Sequence, residues 1–453
     1  MKGDKRDILI KVLVEISRIL LGVTFIFSGF VKAVDPMGTV YKIEDYLAAF
    51  NLSSLSFLSL PGSFFLCGME FLLGAFMLLG IYRKLNSRLI FLVMCFMTPL
   101  TLYLAIANPV EDCGCFGDAL KISNWETFYK NIVLFVCSLI TLKYHRRISN
   151  FFTGKTYWIA ALFIVFFIVA FMIRNYYLDP LFDFRPYKIG ANIPELMNVE
   201  EGKGRQEQTT LVYEKDGKEQ EFTEENYPWD DPLWTFVRMD TKVIHEGEKP
   251  VITDLSMGEL VIDPDKNTIV NEVDITYQIL TDTNYVFLMI SPTLDKMREN
   301  HTIEFEDVAN YAHDYGYKFY CLTSSVSDDI LVWKNENVVA FNFCRTDERT
   351  LKTIIRTNPG LVLIKNGIII NKWADVFVPS EDELTAPLEE LPYGQVIDPK
   401  ERDKTNLFYI CAIFILPLLL LKGFDFLAYR KRQKEDKMKD DQEEEVSGQK
   451  EKE

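Results

Sequence analysis

Two cysteines stand one residue apart in the segment NPVEDCGCFGDAL, Asn108 to Leu120, as Cys113-Gly114-Cys115. Three chemistries suit such a pair: thiol–disulfide exchange, a structural staple, or half of a metal site. A disulfide across a single residue closes a very small ring, which strains the bond and makes it easier to reduce. A strained, accessible bond serves exchange better than support. Zinc asks for four ligands, usually Cys and His, and His145, His245, His301 and His313 all lie far from the pair in the chain. Asp112 and Asp118 could add oxygens, but beside a thiol their charge raises its pKa rather than lowering it. A second pair, Glu70 and Lys32, falls within or at the end of apolar stretches. A lone carboxylate in a membrane span costs roughly a few kcal/mol unless paired or hydrated. Glu70 is therefore either half of an ion pair with Lys32 or Arg18 that fixes helix packing, or part of a proton or quinone site. Lys32 could also snorkel to the interface.

The elements that must position these groups are set by hydropathy. Six stretches have the length of about 20 apolar residues that a bilayer crossing needs: Ile8–Phe30, Gly62–Tyr82, Leu89–Ala107, Phe128–Leu142, Tyr157–Arg174 and Leu407–Tyr429. The first carries Lys11, Glu15 and Arg18, and the fourth is short. Short loops rich in Lys and Arg stay on the cytoplasmic side. The N-terminus (Lys2, Lys5, Arg6) and the loop with Arg83, Lys84 and Arg88 have this character. So do the loop with Lys143, Arg146, Arg147 and Lys155 and the stretch Arg430, Lys431, Arg432, Lys434. Six crossings place all four on one side and put 31–61, 108–127 and 175–406 on the other. The cysteine pair then faces a space where disulfides persist. The segment Val40–Gly62 suits a helix lying on the membrane surface as a lid. Cys67, Cys95, Cys137 and Cys411 lie within spans and read as buried apolar residues. The net charge of -16 argues against a nucleic-acid partner. Part of it sits in a C-terminal run at 431–453 expected to be a disordered acidic tail.

Arg18, Ser28-Gly29, Lys32, Asp35-Pro36, Glu70 and Cys113-Gly114-Cys115-Phe116-Gly117 occur in an order that resembles the DoxX-like superfamily of four-helix membrane proteins, and within it the MauE-type branch. The resemblance covers roughly residues 8–145. It implies support of disulfide formation in a periplasmic partner and, by analogy with quinone-linked relatives, a quinone site lined by Glu70 and Lys32. Membrane quinone reductases of similar arrangement use a second cysteine pair in the first outer loop. Residues 31–61 contain no cysteine.

Residues 181–280 read as a β-rich connection, with a hairpin at TTLVYEKDGKEQEFT around Asp216-Gly217. From 281 to 400 strands and helices alternate: YVFLMIS, FEDVANYAHDYG, KFYCLTSS, DDILVWKNEN, AFNFC, ERTLKTIIR, GLVLIKN and IIINKW. That order signals an α/β sheet with crossover helices. The closing RTNPGLVLIKNGIIINKW resembles the thioredoxin superfamily, in which the proline matched by Pro359 is cis and its loop contacts the substrate. The resemblance implies client contacts at Asn358 and Pro359. The Cys-x-x-Cys of active members is replaced by ISPTLDKM, so the domain looks like a binding module. Cys321 and Cys344 sit in strands, either as inert core residues or as a disulfide.

Together these features describe an α-helical protein of a bacterial inner membrane. A DoxX/MauE-like four-helix bundle (1–150) is followed by a fifth span (151–180), the β-rich connection, a periplasmic α/β thioredoxin-like domain and a sixth span (401–430). Both termini are cytoplasmic. Two functions from different classes are open. One is thiol redox on a periplasmic client through Cys113 and Cys115. The other is a non-catalytic envelope scaffold stapled by the same cysteines.

Overall fold

The computed structural model describes residues 2–450 apart from 111–112, 154–155, 200–202, 204–205, 216, 224–225, 246, 248, 264, 299–301, 338, 340 and 397. The chain forms two units, Met1–Phe184 with Asp398–Glu453, and Arg185–Ile397.

The first unit is helical. Its opening helix α1, Lys2–Val34, runs 33 residues without a break. Asp35 then accepts the backbone N–H of Gly38 at 3.0 Å while Pro36 takes the first helical position, so α2, Pro36–Ala49, starts immediately. A carboxylate cap followed by proline is a strong helix start, because it satisfies an orphan donor and pre-sets φ. This helix and the 3-10 turn Ser53–Leu58 occupy the expected lid segment. The long helices α3, Ser59–Leu79, and α4, Arg83–Ala107, are separated by a tight corner at Gly80, which has φ +67°. Ser123 and Glu126 form a capping box that opens α5, Asn124–Lys143, four residues before the expected fourth span. The last helix before the second unit is α6, Tyr157–Tyr177.

The second unit, Arg185–Ile397, is built on β-sheet. After the short α7, Ile193–Met197, come β1, Gln206–Lys215, β2, Lys218–Thr223, and β3, Thr235–His245. They form an antiparallel sheet in the order β2-β1-β3. The β1–β2 pair is the expected hairpin; Asp216 at its tip lies outside the described residues, and Gly217 has φ +74°.

A larger, seven-stranded sheet has the order β10-β9-β6-β7-β8-β4-β5. Its elements in chain order begin with β4, Gly258–Asp263, β5, Thr268–Asp274, α8, Thr276–Leu280, and β6, Tyr285–Ile290. They continue with α9, Thr302–Asp314, β7, Lys318–Thr323, α10, Ser327–Asn337, and β8, Asn342–Arg345. The last are α11, Glu348–Ile354, β9, Gly360–Lys365, and β10, Ile368–Ala374. The strands β6, β7 and β8 are parallel; on the other side of β6, β9 pairs with it antiparallel and β10 pairs antiparallel with β9. All six residues of β6 are buried, as a central strand covered on both faces requires. Tyr285, Phe287 and Met289 enter one core with Phe305 and Val308 of α9, while Val286, Leu288 and Ile290 enter the other with Leu351 of α11.

The alternation expected over 281–400 is thus present, with one extension. The β4–β5 hairpin, assigned in advance to a separate connecting region, joins this sheet through Glu259 paired with Cys344 and Gly258 with Arg345. Its outer strand β5 is almost wholly exposed and rich in Asn, Glu and Asp, which is how an edge strand avoids pairing with another chain.

The chain ends in α12, Pro399–Lys450, which belongs to the helical unit. It continues through residues 431–450, expected to be a disordered tail, as uninterrupted helix. Asp425 ties α12 to the entrance of α6, accepting from Thr156 Oγ1 at 2.7 Å and Thr153 N at 3.0 Å.

Among the described residues, five helical segments are long and apolar enough to cross a membrane: Ser53–Leu79, Arg83–Ala107, Asn124–Lys143, Tyr157–Tyr177 and Pro399–Lys431. They coincide with five of the six expected spans. The sixth, α1, is a helix that packs along α3 and α5 but stands outside this set and carries Lys11, Glu15, Arg18 and Lys32.

Candidate functional site

Small residues let α1 and α3 meet at backbone distance. A Cβ on Gly29 would lie 2.7 Å from Phe71 Cα, and one on Gly74 would lie 2.8 Å from the carbonyl of Gly22. Helices that approach this closely do so because glycine removes the side chain between them. The approach brings Ser28 and Lys32, one turn apart on α1, against Glu70 of α3. Lys32 Nζ is 2.8 Å from both Glu70 oxygens, and the two side chains are 5% and 9% exposed. A buried pair of this kind is tolerable because each charge is the other's solvation.

The pair is connected to the cysteine loop through one hydroxyl. Ser28 Oγ bridges Glu70 Oε2 at 2.7 Å and the carbonyl of Cys115 at 2.6 Å. On the other flank the Tyr46 hydroxyl of α2 donates to the carbonyl of Cys113 at 2.9 Å. Between them Gly114 adopts φ +64°, a left-handed conformation that a side chain disfavours. Thus α1 and α2 each hold one cysteine by its backbone, and glycine makes the turn that lets both sulfurs face the same way.

The sulfurs are 2.9 Å apart, and both residues are free thiols rather than a disulfide. Hydrogen bonding from the Cys113 thiol holds the Cys115 thiol below its usual pKa range. The positive charges of Lys130 and Lys32 act in the same direction, against burial and Glu70. Cys113 is pushed the other way, by that same hydrogen bond first and by burial and the neighbouring sulfur after it. One thiolate and one thiol is the arrangement that exchange needs. Of the two acidic neighbours expected to oppose a thiolate, only Asp118 lies among the described residues. It is ion-paired with Lys121 at 3.8 Å; Asp112 lies outside them.

Lys130 and Tyr46 were not singled out from the sequence. Lys130, on α5, also places its ammonium 4.2 Å from the centroid of the Phe116 ring, which packs edge-on against Phe27 at 5.2 Å. A lysine in the first half of an apolar helix, seven residues after a capping serine, was the available signal.

Two expectations are corrected here. The pair was expected to be accessible, yet Cys113 and Cys115 are each 8% exposed, packed with Leu104, Met97 and Val110. The proposed quinone site at Glu70 and Lys32 also fails on fit. Their polar atoms are spent on each other and on Ser28, and the adjoining cavity, between Ser28, Glu70, Cys115, Phe116, Lys130 and Asn131, measures only ≈ 40 Å³. Small-molecule pockets run to about 300–1,000 Å³, whereas a water needs only about 10–15 Å³. This space suits a few waters, not a quinone ring.

The remaining residues fall elsewhere. Arg18 bonds through Nε to the carbonyl of Met77 at 3.1 Å and through its other nitrogens to Leu78 O and Ser149, so it caps the far end of α3 rather than meeting Glu70. Cys67 and Cys137 are buried as expected, but Cys95 and Cys411 are exposed on helix surfaces. Among the described residues no three metal-binding side chains converge.

In the sheet unit, the Asn358–Pro359 peptide is cis. Asn358 Oδ1 accepts from Ser291 Oγ at 2.8 Å, and its Nδ2 donates to the carbonyl of Thr293 at 2.9 Å. The proline loop is therefore fastened to the ISPTLDKM segment. Pro359 is buried, which removes it from any surface a client could touch directly; Asn358 is partly exposed. Cys321 and Cys344 are free thiols, fully buried on adjacent strands, and burial pushes both thiols up.

Comparison with known proteins gives little for the sheet unit. Residues 207–246 match a domain family of unknown function, DUF8463. A structure of the mitochondrial 2-cys peroxiredoxin from Plasmodium falciparum is similar at 18% identity, covering 35% of this chain and 91% of that one, with a TM-score of 0.20. No curated protein sequence matches. The helical unit is placed more firmly: residues 10–144, which carry Ser28, Lys32, Glu70, Cys113 and Cys115, match the family model of the methylamine utilisation protein MauE.

Proposed function

We propose that this is a bacterial inner-membrane thiol–disulfide exchange protein whose working pair is Cys113 and Cys115, presented on the periplasmic side. The observation that carries the reading is the pair of reduced sulfurs 2.9 Å apart, with Cys115 favoured as thiolate by the Cys113 hydrogen bond, Lys130 and Lys32. The Cys115 thiolate attacks a client disulfide; that S–S bond breaks, a mixed disulfide forms, and the second client sulfur leaves as thiolate. Cys113 then gives up its proton and attacks Cys115, releasing the first client sulfur and closing the Cys113–Cys115 disulfide. The client gains two electrons and the pair loses them; run backwards, the same steps oxidise a client dithiol. Because both sulfurs are buried, attack follows release of the Tyr46 contact that holds the loop.

The sheet unit, read as thioredoxin-like, supplies recognition and no electrons. Its two cysteines are buried in strands, and the segment facing the proline loop contains none. The rival reading, an envelope scaffold with an inert cysteine loop, draws support from the burial of the sulfurs.

Trapping separates the two. Cys113→Ser leaves Cys115 with a hydroxyl still able to donate to it but no thiol to resolve a mixed disulfide. A client linked to this variant and released by reductant is expected, with far less on Cys115→Ser. If neither variant captures a protein and the double serine variant complements fully, the scaffold reading holds.

A further inference from the structure

The corner between α3 and α4 carries a second feature that the thiol chemistry does not use. There a pocket of ≈ 440 Å³ is bordered by Arg83, Lys84 and Arg88, with Tyr82, Tyr157 and Asn150. Among its described lining residues three are basic and none is acidic. Arg83 is anchored, its guanidinium donating to the carbonyls of Arg146 at 3.3 Å and Ile148 at 2.9 Å. Arg83 is half-buried, and Lys84 and Arg88 are exposed side chains on the first two turns of α4.

Directly beside it runs an apolar groove of ≈ 380 Å³ between α3, α4 and α6, lined by residues such as Phe65, Leu72, Phe76, Leu89 and Met172. The two spaces share Tyr82 and Leu85 as lining, so they adjoin. Asn86 also borders the groove. It is 2% exposed; its Nδ2 donates to the carbonyl of Leu73 at 3.0 Å, and its Oδ1 is buried without a partner among the described residues. A buried amide oxygen left without a donor is costly.

We propose that this pocket and groove form a binding site for one anionic glycerophospholipid, its phosphate among Arg83, Lys84 and Arg88 and an acyl chain in the groove between α3, α4 and α6. Basic pockets between membrane helices recognise such headgroups because the cations meet a fixed negative charge at the interface. The apolar half separates this occupant from a free phosphate, which would leave the groove empty. The charge separates it from a zwitterionic lipid, whose own cation would oppose the three basic residues.

The test uses the full chain purified in neutral detergent, with native mass spectrometry reading retained lipid after exposure to equal amounts of phosphatidylglycerol and phosphatidylcholine. Phosphatidylglycerol is expected to be retained at least tenfold better. Lys84→Ala with Arg88→Ala is expected to weaken that retention roughly thirtyfold, whereas Lys84→Arg with Arg88→Lys keeps it. Leu85→Trp, which fills the junction, is expected to reduce retention with the charges intact. Equal retention of the two lipids, or no loss in the alanine variant, overturns the site. Full displacement of phosphatidylglycerol by an equal concentration of glycerol 3-phosphate shows a soluble-phosphate site and overturns the lipid assignment.

Discussion

At the scale of single residues, the account rests on how Ser28, Lys32, Glu70, Tyr46 and Lys130 surround two sulfurs. Glu70→Gln removes the charge that balances Lys32 in a buried place, and breaking such a pair costs about 3–5 kcal/mol. Denaturant unfolding in detergent is expected to show that loss, and a Lys32→Met/Glu70→Met double variant to recover most of it. A single variant that costs under about 1 kcal/mol would show that the pair is not holding α1 to α3. The lowered Cys115 pKa has a sign that can be checked. A free cysteine titrates at about 8.5, so alkylation of Cys115 is expected to stay fast as pH falls below that value and to be lost only further down. The same shift stabilises the folded chain above the unfolded pKa, and this contribution is lost as pH falls through the folded one. Lys130→Met removes a cation and is expected to move the alkylation midpoint upward. A midpoint unchanged by that substitution would put Lys130 outside the site. Cys113, Cys115, Glu70 and Lys32 were legible in sequence as rare chemistry in apolar surroundings. Tyr46 and Lys130 were not, because their roles come from helices that pack only in three dimensions.

At the scale of elements, the decisive contact is α1 on α3. Gly29 stands where a side chain would strike the backbone of Phe71, and Gly74 where it would strike α1. Gly29→Leu is expected to destabilise the helical unit by more than the roughly 1–3 kcal/mol usual for overpacking, since backbone rather than a flexible side chain must give way. It is also expected to expose Cys115 to alkylation by pulling Ser28 from its carbonyl. Normal stability with unchanged cysteine reactivity would contradict the contact. The existence of the long helices was legible from hydropathy, but their starts were not. The helix α5 opens at Asn124, behind the capping box of Ser123 and Glu126 and four residues before the expected Phe128, and α2 opens at the Asp35 cap. The strands of the sheet unit were legible from β6 onward because β6 and β9 are continuous apolar runs. The β4–β5 hairpin was missed as part of that sheet for the opposite reason. Its outer strand is polar and exposed, and its attachment depends on pairing with a strand some 80 residues later.

At the scale of the whole molecule, the proposed orientation is a consequence of charge in short loops, and it makes a joint prediction for both units. Impermeant maleimide added to intact spheroplasts after mild reductant is expected to label a cysteine placed at the exposed Trp229 of the sheet unit quickly. Cys113 and Cys115 are expected to label from the same side but more slowly, because both are buried. A cysteine in place of Lys84, in the loop assigned to the cytoplasm, is expected to label only after lysis. Labelling of Trp229→Cys and Lys84→Cys from the same side would break the topology. The central claim, that Cys113 and Cys115 are a working redox pair, is tested most directly by equilibrating membranes with redox buffers and counting alkylated thiols on the peptide that carries both. The account predicts a reversible two-electron transition within the range of about −300 to −120 mV spanned by exchange-active dithiols and their compartments. A pair that stays wholly oxidised or wholly reduced across that whole range would contradict it.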